Sequence, residues 1–133
     1  MNATKSIIAT AVLTAFTASA AWAQATSDWR PTKTVRIVVP IVGSTNDVLA
    51  RLLAPKLQEA LGQPFVVENK GGAGGNIGAL DVVKSPPDGH TLLVGYNGPL
   101  AINVTLFDNM PYDPMKDLAP ITLAVKSPQY LVV

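Results

Sequence analysis

Phe65-Val66-Val67-Glu68-Asn69-Lys70-Gly71-Gly72-Ala73-Gly74-Gly75-Asn76-Ile77-Gly78 is the stretch whose reading decides the fold. An apolar run is followed by five glycines in eight positions, and these lead into a helical pattern. The order reads as strand, turn, helix start. Glycine admits positive φ and lets backbone N–H groups approach a ligand, and a helix N-terminus favours anions. Such a turn can therefore hold a small anion, with a carboxylate as the first choice. The same glycines also suit a tight strand-to-helix turn with no ligand.

Working outward from that turn, the chain repeats the same unit. Val35-Arg36-Ile37-Val38-Val39 is β-branched and nearly continuous in apolarity, which suits a parallel strand buried on both faces. Pro40 to Asp47 forms a loop, and a helix is predicted from about Asp47 to Leu61. Val48, Leu49, Leu52, Leu53, Leu57, Ala60 and Leu61 supply its apolar face. Asn46 or Asp47 can cap it, Gly62 suits its C-terminal stop, and Pro55 predicts a kink. Ile77 to Lys84 reads as a second helix, ended by Ser85-Pro86-Pro87, and Thr91 to Val94 as a third strand. Ala101 to Phe107 is a short helical candidate. Leu118 to Val125 and Tyr130 to Val133 read as two further strands. Alternating strands and helices with short loops predict an α/β fold of right-handed βαβ units on a mostly parallel sheet. Ligands bind such sheets beyond the carboxyl ends of the strands, so the loops at 40–47, 69–76 and 95–99 share the candidate edge.

The N-terminus predicts export. Lys5 precedes an apolar run from Ile7 to Ala21, and Ala21-Trp22-Ala23 offers a cleavage site before Gln24. That run is shorter than the roughly 20 residues of a spanning helix, so residues 1–23 read as a signal peptide rather than a membrane anchor. The chain of 133 residues has no cysteine and a formal net charge of +1. Its basic residues are scattered, which argues against a nucleic-acid footprint. Export without a disulfide framework fits a bacterial periplasm. The chain stops within the apolar run Leu131-Val132-Val133, which reads as a truncated sequence.

Several chemistries find no support. Ile77 stands where G-x-G-x-x-G needs its last glycine, and no G-x-x-x-x-G-K-[ST] occurs, so a nucleotide is rejected. His90 is the sole histidine and follows a Pro-Asp-Gly turn; with no cysteine either, a zinc or redox-metal site lacks its usual ligands. Ser44 has no nucleophile elbow and no base, so an enzyme is not expected, and no cofactor. Asp47 opens a helix at the candidate edge, where it either caps the helix or meets a ligand. Tyr96 and Asn97 either line the site or shape a turn. Asn103-Val104-Thr105 matches a glycosylation sequon and is read as coincidence in a bacterial protein.

Set in order, Val38-Val39-Pro40, the loop ending at Asp47, Leu49-Ala50-Arg51 and Leu61-Gly62-Gln63-Pro64 form a familiar series. It continues through Val66-Val67-Glu68-Asn69-Lys70, Gly72 to Gly78, Pro87-Asp88-Gly89-His90-Thr91-Leu92-Leu93, Pro111-Tyr112-Asp113-Pro114 and Lys116-Asp117-Leu118-Ala119-Pro120. From about residue 30 onward the chain resembles the Bug-type extracytoplasmic solute receptors of tripartite tricarboxylate transporters. The resemblance implies a type II-like periplasmic binding-protein fold of two α/β domains around a cleft, with residues 24–133 as an incomplete first domain. It further implies a small carboxylate ligand, delivery to the membrane permease subunits, and a soluble monomeric receptor with no stable membrane insertion. The alternatives are a ligand-presenting component for a sensor kinase, or a truncated remnant without function. Carried over, the ligand contacts are Gly43, Ser44, Thr45, Asn46 and Asp47 in the first loop and Gly72, Ala73, Gly74, Gly75 and Asn76 in the second. Tyr96, Asn97 and Gly98 stand nearby. Two local departures are a first loop poorer in glycine than usual and a histidine at position 90 in place of a tyrosine.

Overall fold

In the computed structural model, which describes residues 29–126, the sheet is built around β1 (Val35–Val39). β1 pairs in parallel with β2 (Phe65–Asn69) on one side and with β3 (Thr91–Leu93) on the other, in the order β2-β1-β3. The register runs from Val35 opposite Phe65 to Val39 opposite Asn69, and from Arg36 opposite Thr91 to Val38 opposite Leu93. Being central, β1 is the most completely buried element, as its nearly continuous β-branched run requires. Lys70 N–H donates to the Val39 carbonyl and Val94 N–H to the Val38 carbonyl, so all three strands end level with one another.

Alternation along β1 sends Val35, Ile37 and Val39 to one face and Arg36 and Val38 to the other. The first face forms the core with Ala50, Ala54 and Phe65, closed by Leu57, Leu61, Val67, Leu92 and Val94. Helix α1 (Thr45–Leu61) supplies its side of that core. The helix turns Asp47, Ala50, Ala54, Leu57 and Leu61 inward, a series at helical spacing. Val48 and Leu52, expected on the buried face, are 55% and 65% exposed. At about 3.6 residues per turn both positions lie on the side of the helix away from Ala50, Ala54, Leu57 and Leu61. The helix starts two residues before the expected Asp47, with Ser44 as its cap, and runs unbroken through Pro55. Gly62 ends it at φ 76°, its N–H donating to the Gln58 carbonyl, as expected.

Helix α2 (Asn76–Val83) packs against β1 and β3. Arg36 bonds Asp81 on α2 at 2.9 Å and Glu68 on β2 at 2.8 and 3.0 Å, while Lys70 reaches Asp81 at 2.7 Å. Four side chains from β1, α2 and the end of β2 thus form one half-exposed charge cluster with no net charge. The Arg36 bond and charge hold the Glu68 carboxyl below its ordinary range; Lys70, then Arg36, does the same for Asp81.

The Ala101–Phe107 helix is replaced by a π-helical turn, Gly98–Ile102, followed by α3 (Asn103–Leu106). The strand expected from Leu118 to Val125 does not form: residues 118–126 have no regular structure, and Ile121, Leu123 and Val125 are exposed. A strand exists only within a ladder, and no described strand lies beside this segment. The signal peptide, its cleavage point and the Tyr130–Val133 strand lie outside the described residues. Among the described residues no helix is long and apolar enough to cross a membrane.

Candidate functional site

The loops after β1, β2 and β3 meet at the common end of the strands, and specific side chains tie them together. In the first loop, Ser44 Oγ accepts from Asp47 N–H at 3.3 Å, and Asp47 Oδ2 accepts from Gly43 N–H at 3.0 Å. This is a reciprocal cap, in which the third helical residue reaches back past the N-cap. The other Asp47 oxygen accepts from Asn69 Nδ2 at 3.0 Å and lies 3.1 Å from Arg51 Nε; Arg51 also donates to Asn69 Oδ1 at 2.8 Å. Asp47 is buried, and the Asn69 bond, the Gly43 N–H and the Arg51 charge hold its carboxyl below the usual range. Its negative charge is neutralised within the fold, and it fastens the first loop to the end of β2. Sequence reasoning left Asp47 between capping and ligand contact; the geometry gives both of its oxygens internal partners.

The N–H groups of Gly43 and Asp47 are thereby occupied, and that of Val48 donates to the Ser44 carbonyl at 3.1 Å. The first-turn amides left without an intrahelical acceptor are those of Thr45 and Asn46. The Thr45 side chain is exposed, and Asn46 Nδ2 donates to the Gly95 carbonyl of the third loop at 3.5 Å.

The second loop adopts an unusual backbone. Ala73, Gly74 and Gly75 lie consecutively at φ 46°, 62° and 91°, a left-handed 3-10 turn that runs directly into α2. Gly75 N–H closes the turn on the Gly72 carbonyl at 2.9 Å, and Asn76 N–H bonds the Ala73 carbonyl. The N–H groups of Gly72, Ala73 and Gly74 precede these bonds, as the leading donors of any helical turn do. Ala73 pays the steric cost of the left-handed region that its glycine neighbours avoid.

The third loop and α3 grip this turn. Tyr96 Oη donates to the Gly74 carbonyl at 2.8 Å, and Asn103 Nδ2 donates to the same oxygen at 2.9 Å and to Asn76 Oδ1 at 2.6 Å. The Tyr112 hydroxyl lies 2.8 Å from the Pro99 carbonyl and 3.2 Å from Asn76 Oδ1. Burial pushes the hydroxyls of both tyrosines above their ordinary pKa, so they stay protonated donors. Asn76, expected as a ligand contact, is 6% exposed and bonded inward. Asn97 is exposed at the start of the π-helical turn, and Gly98 lies against the Tyr96 ring. Sequence reasoning noted Asn103 only as part of a sequon, and placed neither it nor Tyr112 nor Asn69 among the site residues. The available signal for Asn103 was an amide set within the apolar run Leu100 to Val104.

The helix start after β1 and the left-handed glycine turn after β2 therefore stand at one sheet edge, while the first amides of α2, those of Asn76 and Ile77, bond the Ala73 and Gly72 carbonyls. The family described as tripartite tricarboxylate transporter family receptor matches residues 49–133. The chain belongs to this receptor family. Among curated relatives, protein BugT of Bordetella pertussis is 41% identical over 135 residues, covering 99% of this chain and 40% of BugT. Among solved structures, MatC of Rhodopseudomonas palustris with bound malate is 44% identical with a TM-score of 0.62, over 65% of this chain and 30% of that one. A second R. palustris protein, solved with adipate, is 47% identical with a TM-score of 0.61, over 66% of this chain and 29% of that one. A periplasmic transporter structure matches at 44% identity and a TM-score of 0.62, over 65% and 29% of the two chains. The described α/β unit thus has part of the fold of these periplasmic binding proteins, and this family member spans about 40% of the length of BugT.

Proposed function

We propose that this chain carries the first half of a periplasmic solute receptor that binds a small carboxylate and passes it to a tripartite tricarboxylate transporter permease. The observation that supports the reading is the meeting of the first-loop helix start and the glycine turn with the third loop at one edge of the sheet, tied by Asn46 to the Gly95 carbonyl and by Tyr96 to the Gly74 carbonyl; the reading assigns the carboxylate to the leading amides of Thr45–Asn46 and Gly72–Gly74. Support comes from the malate and adipate held by two similar structures. A carboxylate has four acceptor positions and needs no dedicated arginine if several N–H groups converge on it. Each hydrogen bond to a charged group contributes about 1.5–3 kcal/mol, so three or four approach the roughly 8 kcal/mol of micromolar binding before ordering costs. Those bonds keep their strength only when water is excluded. A second wall is therefore part of the reading, and this chain alone binds weakly. Residues 1–23 serve as the export signal; an exported product whose mass begins at Gln24 agrees with that assignment.

The test is an amide NMR titration of the chain with malate and adipate at millimolar concentration, against dimethyl adipate as the uncharged control. The expected result is shifts confined to the Thr45–Asn46 and Gly72–Gly74 amides with the diacids only. Equal shifts with the diester, or diacid shifts elsewhere with none at these amides, would overturn the reading. Tight binding by this chain would contradict the need for a second wall.

A further inference from the structure

The glycine turn is held in its left-handed form from outside, by groups that follow it in sequence by more than twenty residues. Both donors converge on one atom, the Gly74 carbonyl oxygen. Carbonyl and N–H point in opposite directions across a trans peptide. Drawing the Gly74 carbonyl toward Tyr96 and Asn103 therefore aims the Gly75 N–H the other way, at the Gly72 carbonyl it bonds at 2.9 Å. That bond closes the turn and leaves the leading amides of Gly72, Ala73 and Gly74 on its open end. A strained φ of 46° at Ala73 persists only where surroundings over-determine it.

Asn103 is 4% exposed and uses both amide hydrogens, one on Gly74 and one on Asn76, the first residue of α2. No buried side-chain nitrogen or oxygen among the described residues lacks a partner, so this network has no slack through which the turn could relax. We infer that Asn103, assisted by Tyr96, is the positioning residue of the glycine turn: it touches no ligand, but sets the direction in which the Gly72–Gly74 amides point. The inference rests on the carboxylate reading for its consequence in binding, and on the hydrogen bonds alone for its consequence in the turn.

The test uses the full chain with Tyr96→Phe, which deletes one hydroxyl, and Asn103→Ala, which deletes both amide donors. Amide hydrogen exchange is read at Gly75 and Asn76, and at Ala54 in α1 as a reference. Expected is about tenfold faster exchange at Gly75 and Asn76 for Tyr96→Phe, the equivalent of about 1.4 kcal/mol, and a larger acceleration for Asn103→Ala, with altered amide shifts at Gly72–Gly74 and unaltered amide shifts at Ala54. Malate shifts at Gly72–Gly74 should then require severalfold more malate. Unchanged exchange at Gly75 in both variants, or Gly72–Gly74 amide shifts identical to the parent's, would overturn the inference. If Asn103→Ala does not fold, Asn103→Ser, which keeps one donor, is read in its place, and Tyr96→Phe reads the assisting bond. If the parent chain shows no malate shifts, the carboxylate reading fails while the exchange comparison still tests the positioning role.

Discussion

Replacing Gly78 by alanine offers a direct test of how the two candidate loops are braced. Gly78 is the third residue of α2 and is buried. A Cβ there would come 2.6 Å from the Lys70 carbonyl oxygen and 3.3 Å from both Cα and Cβ of Pro40. Those residues directly follow β2 and β1, so the helix presses on the chain where both candidate loops begin. In an open helix, Gly→Ala gains about 1 kcal/mol of propensity. Overpacking of this kind costs about 1–3 kcal/mol, and a clash with backbone belongs at the upper end because no side chain can swing aside. The expected net loss is about 1–2 kcal/mol, or roughly a 1 M lower urea midpoint for a domain of this size. Gly62→Ala is the useful contrast. Gly62 has φ 76° but nothing within 4 Å of a Cβ, so its loss of about 1 kcal/mol is conformational and should leave the packing around the loops intact. Urea unfolding followed by circular dichroism reads both variants. A Gly78→Ala chain as stable as the parent, or more so, would refute the close approach of α2 to Pro40 and Lys70.

Ala73→Gly should stabilise the chain by roughly 0.5–1 kcal/mol, because relief of the left-handed strain exceeds the entropy of the added glycine; a lower urea midpoint would count against the φ of 46°. Asp47→Asn should flatten the acid side of the stability profile. The folded carboxyl titrates below its unfolded value of 3.8, so its contribution is present above about pH 3.8 and disappears as pH falls through the folded value. An unchanged acid limb in urea midpoints between pH 6 and 2 would show that its Asn69 and Gly43 bonds are not formed in solution. Asp81→Asn removes the carboxylate charge that Arg36 and Lys70 share and turns one of its two accepting oxygens into a donor, and should cost about 1–2 kcal/mol, given its partial exposure. Glu68 and Asp81 are both held low, so the cluster's stabilisation is complete above pH 4.5 and lost below it; the loss on mutation should shrink at pH 3 and in high salt, and a loss independent of both would point to packing instead.

Much of this architecture was open to reading before any coordinates. A nearly continuous β-branched run such as Val35–Val39 has few places to go except the centre of a parallel sheet, and β1 is that strand. Glycines flanking it punctuate the chain where the backbone must turn, so Gly62 and the Gly71–Gly78 stretch located the helix boundaries within a residue or two. Those features are local, since φ preference and side-chain branching act within a few residues. Parallel strands joined by helices then oblige their following loops to share an edge, which brought residues 40–47, 69–76 and 95–99 together on paper as in the fold.

What tertiary structure alone decided is the set of partners. Helix α1 carries apolar residues on more than one side, and the sheet covers the side of Ala50, Ala54, Leu57 and Leu61 while Val48 and Leu52 stay exposed. The Leu118–Val125 run had strand composition but no ladder to join. Asp47 could cap or bind until Asn69, 22 residues away, and Arg51 filled its second oxygen. Asn103 gave no local sign of reaching Asn76, 27 residues earlier, or Gly74, 29 residues earlier. Periodicity and propensity are encoded by near neighbours and can be read along the chain. A hydrogen-bond partner is fixed only when distant segments are packed to within 3 Å or so, and that distance is written nowhere in the order of residues.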